Sequence, residues 1–177
     1  MGRPSGRPIV VASRVMPTAV ALRMWGREIE QTIEWVDVER QLRDAETYWA
    51  ISVPASGHPA PRPVWGAWLD DRLLLSVGSR SLRRGSEVHP QVTVHLGDPL
   101  SVVIVEGRAA MSTGPFDDYV DAYNAKYSWS FTADEPMVVD GTLEVRPTNV
   151  LAWTTVPVAD CTPDMQFPTT AGRWTFD

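Results

Sequence analysis

Three strand-like segments joined by short turns constrain the fold of this chain more than any other feature. They run from Tyr48 to Val53, from about Arg62 to Trp68 and from Leu73 to Val77. The first is rich in aromatic and β-branched residues, which favour strands. A Pro- and Gly-containing turn at 54–59 and the pair Asp70-Asp71 separate the segments, and connections this short join antiparallel neighbours. The pattern therefore predicts an antiparallel meander.

The periodicity of the apolar residues predicts further strands and two substantial helices. Helical spacing indicates one helix from Trp35 to Ala45 and another that starts after Pro115 and ends near Tyr127. A short helix is expected at Leu82–Val88, and further strands at Gln91–Leu96, Val102–Met111, Leu143–Trp153 and Gly172–Phe176. The predicted fold class is mainly β with flanking α, an antiparallel barrel of about six strands with two substantial helices packed around it.

Two residues in the long strands predict local irregularity. Gly107 indicates a bulge or a close approach of another backbone, because a strand interior otherwise disfavours glycine. Pro147 has no N–H to donate, so its strand is expected to lie at a sheet edge or to carry a bulge at that point.

The chain is acidic, and its charge argues against some partners. Its 177 residues, 44% hydrophobic and 21% charged, fit one ordinary globular domain, and the net charge is −6 at pH 7. Nucleic acid and anionic membranes attract basic proteins, so neither is expected as a partner.

Residues 1–34 differ in character from the rest. Pro and Arg residues interrupt every apolar run before it reaches the length of a signal peptide or a membrane span. The sequence predicts a disordered or arm-like extension over 1–34 and a folded domain over 35–177. One alternative is that the predicted start of the protein lies too far upstream. Another is that these residues form an arm that wraps a partner subunit. Cytoplasmic localisation is expected, because no export signal is recognisable.

Cysteine and histidine usage argues against a disulfide or a metal site. Cys161 is the single cysteine, which excludes an internal disulfide and fits a reducing compartment. His58, His89 and His95 are not spaced as a ligand pair on a helix or a strand. We therefore expect no bound metal.

A basic segment stands out against the acidic background. The third strand-like segment is followed by GSRSLRR, residues 78–84. Glycine lets a backbone approach a ligand closely, N–H groups at a helix start point outward, and arginines form charge-assisted hydrogen bonds to phosphate oxygens. The segment favours a phosphate site, with a solvated basic turn as the alternative.

Segments along the whole predicted domain combine into a recognisable order. They are the Tyr48-Trp49 strand, GHPAPRPVWGAW (57–68), Leu73-Leu74-Leu75-Ser76, GSRSLRRGSEVHPQVTVHL (78–96), VVIVEGRAA (102–110), AYNAKYSW (122–129), RPTNVLAW (146–153) and GRWTF (172–176). Each is a weak signal alone. Together they resemble the pyridoxamine 5'-phosphate oxidase-like superfamily of FMN-binding split β-barrels, and within it the actinobacterial flavin/deazaflavin oxidoreductase branch.

The resemblance implies a homodimer of split barrels with two cofactor sites at the subunit interface. It implies that the cofactor phosphate is held by Ser79, Arg80, Ser81, Arg83 and Arg84. It implies that the isoalloxazine ring lies along Arg62, Pro63, Val64 and Trp65 and along Ser76, Val77 and Gly78. Trp174 is a further candidate contact, to the partner's cofactor, with an aromatic lid over the barrel end as the alternative.

Two positions depart from the usual family pattern. Ala60 stands where a His or similar polar residue is usual, and Leu82 stands where a Lys is usual. Arg62 is the candidate replacement donor. Of the two nearby tryptophans, strand alternation allows only one on the ring side, and Trp65 is preferred over Trp68.

The function expected from the resemblance is hydride transfer between FMN, or a deazaflavin coenzyme of the F420 type, and a small conjugated or heterocyclic substrate. No acid–base side chain is required, since the cofactor carries the chemistry. Tyr127 or His95 would be candidate proton donors only if the fold brings them near the ring. The alternative is a non-enzymatic carrier of flavin, deazaflavin or haem in the same groove.

Overall fold

Strands dominate the computed structural model, which describes residues 16–20, 22–24, 27–29, 31–162 and 168–176. The strands in these ranges are β1 Thr18–Val20, β2 Arg23–Met24, β3 Arg27–Glu28, β4 Tyr48–Ser52, β5 Ala60–Leu69, β6 Arg72–Ser76, β7 Gln91–His95, β8 Ser101–Met111, β9 Thr142–Thr154 and β10 Thr170–Thr175. The helices are α1 Trp35–Asp44, α2 Arg80–Val88, α3 Asp117–Tyr127 and α4 Pro136–Val139, with a 3-10 turn at Val158–Asp160. Among the described residues, no helix is both long enough and apolar enough to cross a bilayer.

Six antiparallel strands close into a barrel in the order β6-β5-β4-β7-β8-β9, and β9 pairs back onto β6. One edge of β9 pairs with β8 along the whole strand. The other edge of β9 pairs first with β6 and then with β10, and β1 pairs with β10 on its far side. The predicted fold class is confirmed, with β10 and β1 as strands beyond the barrel. The predicted short helix begins two residues earlier than expected, at Arg80.

Alternate residues of each strand fill the barrel interior, as the period of two requires. Along β8, Val103 and Val105 are fully buried, and Ile104 between them is half-buried. The apolar face of α1 adds Val38 and Leu42 to the same cluster. This cluster, which extends from α1 through the barrel, is the main core.

A second core lies on the outside of the barrel, where α3 and α4 cover β5 and β6. Ala67 of β5 and Leu74 of β6 point outward and are buried under Tyr119, Val120 and Tyr123 of α3. The apolar stripe of α3 is therefore packing surface for the outer face of the sheet.

The predicted irregularity at Gly107 and Pro147 is confirmed. The β8–β9 register shifts between Glu106 and Gly107, and Gly107 then lies opposite Pro147. A Cβ on Gly107 would overlap the carbonyl oxygen of Arg146. The bulge accommodates the missing N–H of the proline, and the close approach of the two backbones excludes any side chain at Gly107.

Part of the predicted 1–34 extension lies against the last strand. Thr18–Val20 pairs with β10, and the N–H of Ala171 donates to the carbonyl of Gln31 at 3.0 Å. Residues 1–15 lie outside the described residues. The boundary between extension and domain stays a prediction.

Substitution of Gly107 by alanine should destabilise the fold, because the new Cβ meets backbone that cannot move aside. We expect Gly107→Ala to lower the free energy of unfolding by about 1 to 3 kcal/mol. The control is Gly78→Ala, where a Cβ would meet nothing within 4 Å, so the change should stay within about 0.5 kcal/mol. Urea denaturation of both variants measures this. Equal stabilities would contradict the close approach at Gly107.

Candidate functional site

A groove of about 270 Å³ opens between the first half of β5, the end of β6 and the start of α2. Its lining consists of Arg62, Pro63, Val64, Trp65, Ser76, Gly78 and Ser79, all of them predicted site residues. The β5–β6 register places Trp65 directly opposite Ser76. The chain then leaves the sheet, so the strand end and the helix start form two adjoining walls.

Val77 fixes the point at which the chain leaves the sheet. Its side chain is buried, and its N–H donates to the carbonyl of Gly141 at 2.8 Å. Gly78 next to it is exposed and leaves open space where a Cβ would lie. Val77 is therefore a core residue and does not line the groove, whereas Gly78 presents bare backbone to it.

The start of α2 presents donors that the helix does not use. In an α-helix the first N–H groups have no intrahelical partner and carry partial positive charge. Ser79 is the N-cap residue, and its hydroxyl lies 2.8 Å from the hydroxyl of Ser81 instead of capping the backbone. The N-terminus of α2 is thus equipped to bind an anion.

Two contacts fix the rotation of α2. Leu82 is fully buried in the barrel core, and a Cβ on Gly85 would overlap the hydroxyl oxygen of Ser52. Because Leu82 faces the core, its position offers no side chain to the groove. The helix is anchored through one face, and the opposite face is left for polar residues.

Arg80 and Arg84 lie one turn apart on the exposed part of α2, and Arg83 is half-buried. Within the described residues, no carboxylate forms an ion pair with any of the three. None of the three lines the groove itself. In an acidic chain, three unpaired guanidinium groups beside a helix start are a concentrated positive site.

Trp65 is the aromatic residue that lines the groove, and other aromatic rings lie behind it. The side chain of Trp65 is 46% exposed and stacks on the Tyr127 ring, with centroids 5.2 Å apart and planes 20° from parallel. Trp129, 50% exposed, lies 6.4 Å from Trp65. Trp68 is buried and donates its indole N–H to Glu39 at 3.3 Å. Trp65 therefore faces the groove side, and Trp68 is a core residue.

No sequence motif singled out Lys126, which the structure places against Gly66, the residue after the groove residue Trp65. Its Nζ donates to the carbonyl oxygens of Ala45 at 3.0 Å and Gly66 at 3.3 Å, and lies 3.1 Å from the Tyr48 hydroxyl. Burial lowers the pKa of Lys126 to about 8, and Asp44 acts in the opposite direction. The signal available in the sequence was that Lys126 is the only lysine.

Three residues that the sequence suggested as cofactor contacts or proton donors lie away from the groove or already have a partner within the chain. Trp174 is buried in the barrel core, 5.4 Å from the ring of Trp35, so it offers no surface to a ligand and we leave it out of the candidate site. His95 stacks on Trp49 on the outer face of the barrel. Arg62 is exposed and donates to the carbonyl of Pro61 at 2.7 Å.

Comparisons with known proteins agree with this architecture. No protein-family model matches the chain, and no curated protein matches its sequence. Solved structures do match. The fold is the split β-barrel of the pyridoxamine 5'-phosphate oxidase-like proteins.

Three of these structures show the extent of the similarity. An F420 reductase is 22% identical over 63% of this chain and 94% of its own, with a TM-score of 0.51. A conserved hypothetical protein from Mycobacterium tuberculosis is 18% identical over 76% and 96%, with a TM-score of 0.59. A pyridoxinephosphate oxidase family protein from Clostridium acetobutylicum is 8% identical over 69% and 89%, with a TM-score of 0.51. At identities this low, the structural similarity establishes a shared split-barrel fold and nothing more.

The opposite placement of two tryptophans on β5 predicts unequal stability effects. Trp68→Ala removes a buried ring and should lower the free energy of unfolding by about 3 to 5 kcal/mol. Trp65→Ala removes a half-exposed ring whose main partner is Tyr127, so we expect a loss below about 1.5 kcal/mol. Thermal and urea denaturation compare the two. Similar losses would contradict the outward orientation of Trp65.

Proposed function

We propose that the groove binds FMN and that the protein is an oxidoreductase acting on a small conjugated or heterocyclic substrate. The observation that carries the proposal is that a groove lined by the exposed face of Trp65 adjoins, at Ser79, the start of an arginine-rich helix. A flavin mononucleotide has the same two ends, a flat ring and a phosphate. The deazaflavin coenzyme of the F420 type is the alternative cofactor.

The helix start supports the phosphate end of this proposal. Free N–H groups of α2, the hydroxyls of Ser79 and Ser81 and the guanidinium of Arg84 are the donor types that phosphate oxygens accept. Exposed arginines without acidic partners lose no ion pair when an anion arrives. A charge-assisted hydrogen bond of this type contributes about 1.5 to 3 kcal/mol.

The strand walls support the ring end. Pro63, Val64 and Trp65 offer apolar surface on one side, and Ser76 and Gly78 offer polar groups on the other. An aromatic or apolar wall with a few polar groups is the usual lining of a cofactor site. The residues present therefore fit a ring that needs one stacking face and a small number of hydrogen bonds.

The residues of this chain would bind and orient the cofactor and exclude water from it. The bound cofactor supplies the hydride chemistry. Tyr127 is not a free proton donor, since its hydroxyl donates to the carbonyl of Glu46 at 2.9 Å or of Gly66 at 3.1 Å. Burial also raises the pKa of Tyr127. No side chain of the groove is assigned an acid–base role.

A homodimer with the cofactor between subunits is part of the proposal. Pro63, Trp49, His95 and Ile104 lie opposite one another on β5, β4, β7 and β8, so their side chains form one row across the outer face of the barrel. Trp49 is 37% exposed, and Pro63 also lines the groove. A second copy packed on this row would cover exposed apolar surface and close the open side of the groove.

Loss of one arginine should weaken FMN binding. We expect Arg84→Ala to raise the dissociation constant of FMN about ten- to a hundredfold, because a charge-assisted contact to phosphate is lost. The matched control is Arg40→Ala, which removes an exposed arginine of α1 that pairs with Asp37 and should leave the affinity unchanged. Fluorescence titration measures both, and unchanged affinity in the Arg84 variant would reject the phosphate role.

A charge placed in the row on the outer face should dissociate the dimer. We expect Trp49→Glu to raise the dimer dissociation constant at least about thirtyfold, as loss of a central aromatic contact does. Val158→Glu is the control, because Val158 is 89% exposed and lies outside the barrel. Sedimentation equilibrium gives the values. A monomeric native protein, or a dimer indifferent to Trp49→Glu, would contradict the proposed interface.

The absorption spectrum of the purified protein tests the cofactor directly. FMN or the F420-type coenzyme, added separately with and without reductant, should give saturable binding, and the bound reduced cofactor should pass electrons to oxygen or a dye. Binding without any turnover would favour a carrier in place of an enzyme. A Soret band with no flavin affinity would overturn the proposal in favour of haem.

A further inference from the structure

We propose that Lys126 and Tyr127 are positioning residues that set the orientation of the Trp65 ring. The effect on the cofactor rests on the proposed function, whereas the effect on Trp65 does not. The inference comes from the place where the two residues meet β5.

β5 loses one of its neighbours halfway along its length. β4 pairs with β5 only from Ser52 opposite Ala60 to Tyr48 opposite Val64. Beyond Val64 that edge of β5 has no strand partner among the described residues, whereas on the other side β6 pairs with β5 from Trp65 to Leu69. Backbone groups on an open edge require other partners.

The end of α3 supplies these partners. The N–H of Gly66 donates to the Tyr127 hydroxyl at 3.1 Å, and the carbonyl of Gly66 accepts from Lys126 Nζ at 3.3 Å. Gly66 cannot carry a side chain, because a Cβ would overlap the carbonyl oxygen of Leu74. Two side chains thus take the place of a strand at the residue that follows Trp65.

The same two side chains reach the connection between α1 and β4. Lys126 Nζ donates to the carbonyl of Ala45, and the Tyr127 hydroxyl lies 2.9 Å from the carbonyl oxygen of Glu46. The ammonium group also lies over the ring of Tyr48, 5.3 Å from its centroid. Lys126 and Tyr127 therefore hold β5, α1 and α3 in one geometry, and we call this pair the clasp.

Besides the core residues Tyr48 and Tyr123, the clasp also contacts a groove residue. The Tyr127 ring stacks on Trp65, which remains 46% exposed and lines the groove. The clasp fixes the backbone on one side of Trp65 and the ring itself on the other, which leaves the indole one orientation toward the groove.

The first test observes Trp65 without any ligand. The protein is labelled with 5-fluorotryptophan, and Trp65→Phe identifies the Trp65 resonance among those of the 8 tryptophans in the ¹⁹F NMR spectrum. Tyr127→Phe removes the hydroxyl and keeps the ring, Tyr127→Leu removes both, and Lys126→Met removes the ammonium. We expect each variant to shift or broaden the Trp65 resonance and to leave that of buried Trp68 in place.

The second test measures the consequence for the proposed cofactor. Tyr127→Leu should weaken FMN binding about two- to tenfold, since a preorganised aromatic contact of this size is lost. Tyr127→Phe should fall between Tyr127→Leu and the native protein. Tyr119→Phe, a change to a buried tyrosine of the same helix, is the control and should bind FMN like the native protein.

The outcomes separate the two proposals. An unchanged Trp65 resonance in Tyr127→Leu, or equal shifts of Trp65 and Trp68, would show a purely structural pair and overturn the inference. If the native protein binds neither FMN nor the F420-type coenzyme while the Trp65 resonance still responds, the proposed function fails and the positioning of Trp65 stands.

Discussion

The incomplete cover that α3 gives to the outer face of β5 is the constraint on which the candidate site depends. Along this face, Pro63 and Trp65 are exposed, whereas Ala67 is buried under α3. If the helix continued over the strand, the groove would be filled with core side chains. If it ended earlier, Trp65 would lose the stacked ring of Tyr127. The site exists because the helix ends at Tyr127, level with Trp65.

In the basic segment at the start of α2, some residues hold the helix on the barrel and others are available to a ligand. Leu82 and Gly85 pack α2 against the barrel, whereas Arg80 and Arg84 are exposed to solvent. Burial of the apolar residues supplies the free energy that holds the helix. The polar residues can then be arranged for an anion without being needed for the fold. An acidic protein can carry such a site because the positive charge is concentrated at one helix start.

Local periodicity was sufficient to predict most of the fold and part of the site. The strand period of two correctly separated Trp65 from Trp68, since residues three apart on a strand face opposite sides. It could not predict the clasp, because Lys126 and Tyr127 bond to residues 60 to 81 positions away in the sequence. Nor could it place Trp174 in the core, because that placement depends on β10 pairing with β9 beside α1. Contacts of this range depend on topology, which a single segment does not contain.

The sharing of β9 among three strands limits how this architecture can vary. A slip of one residue along β9 would turn Val145 and Val150 from the barrel interior to its exterior. It would also misalign the pairings with β6, β8 and β10 at the same time. Insertions and deletions can therefore be accommodated in the connections between strands, whereas β9 must keep its length and its bulge.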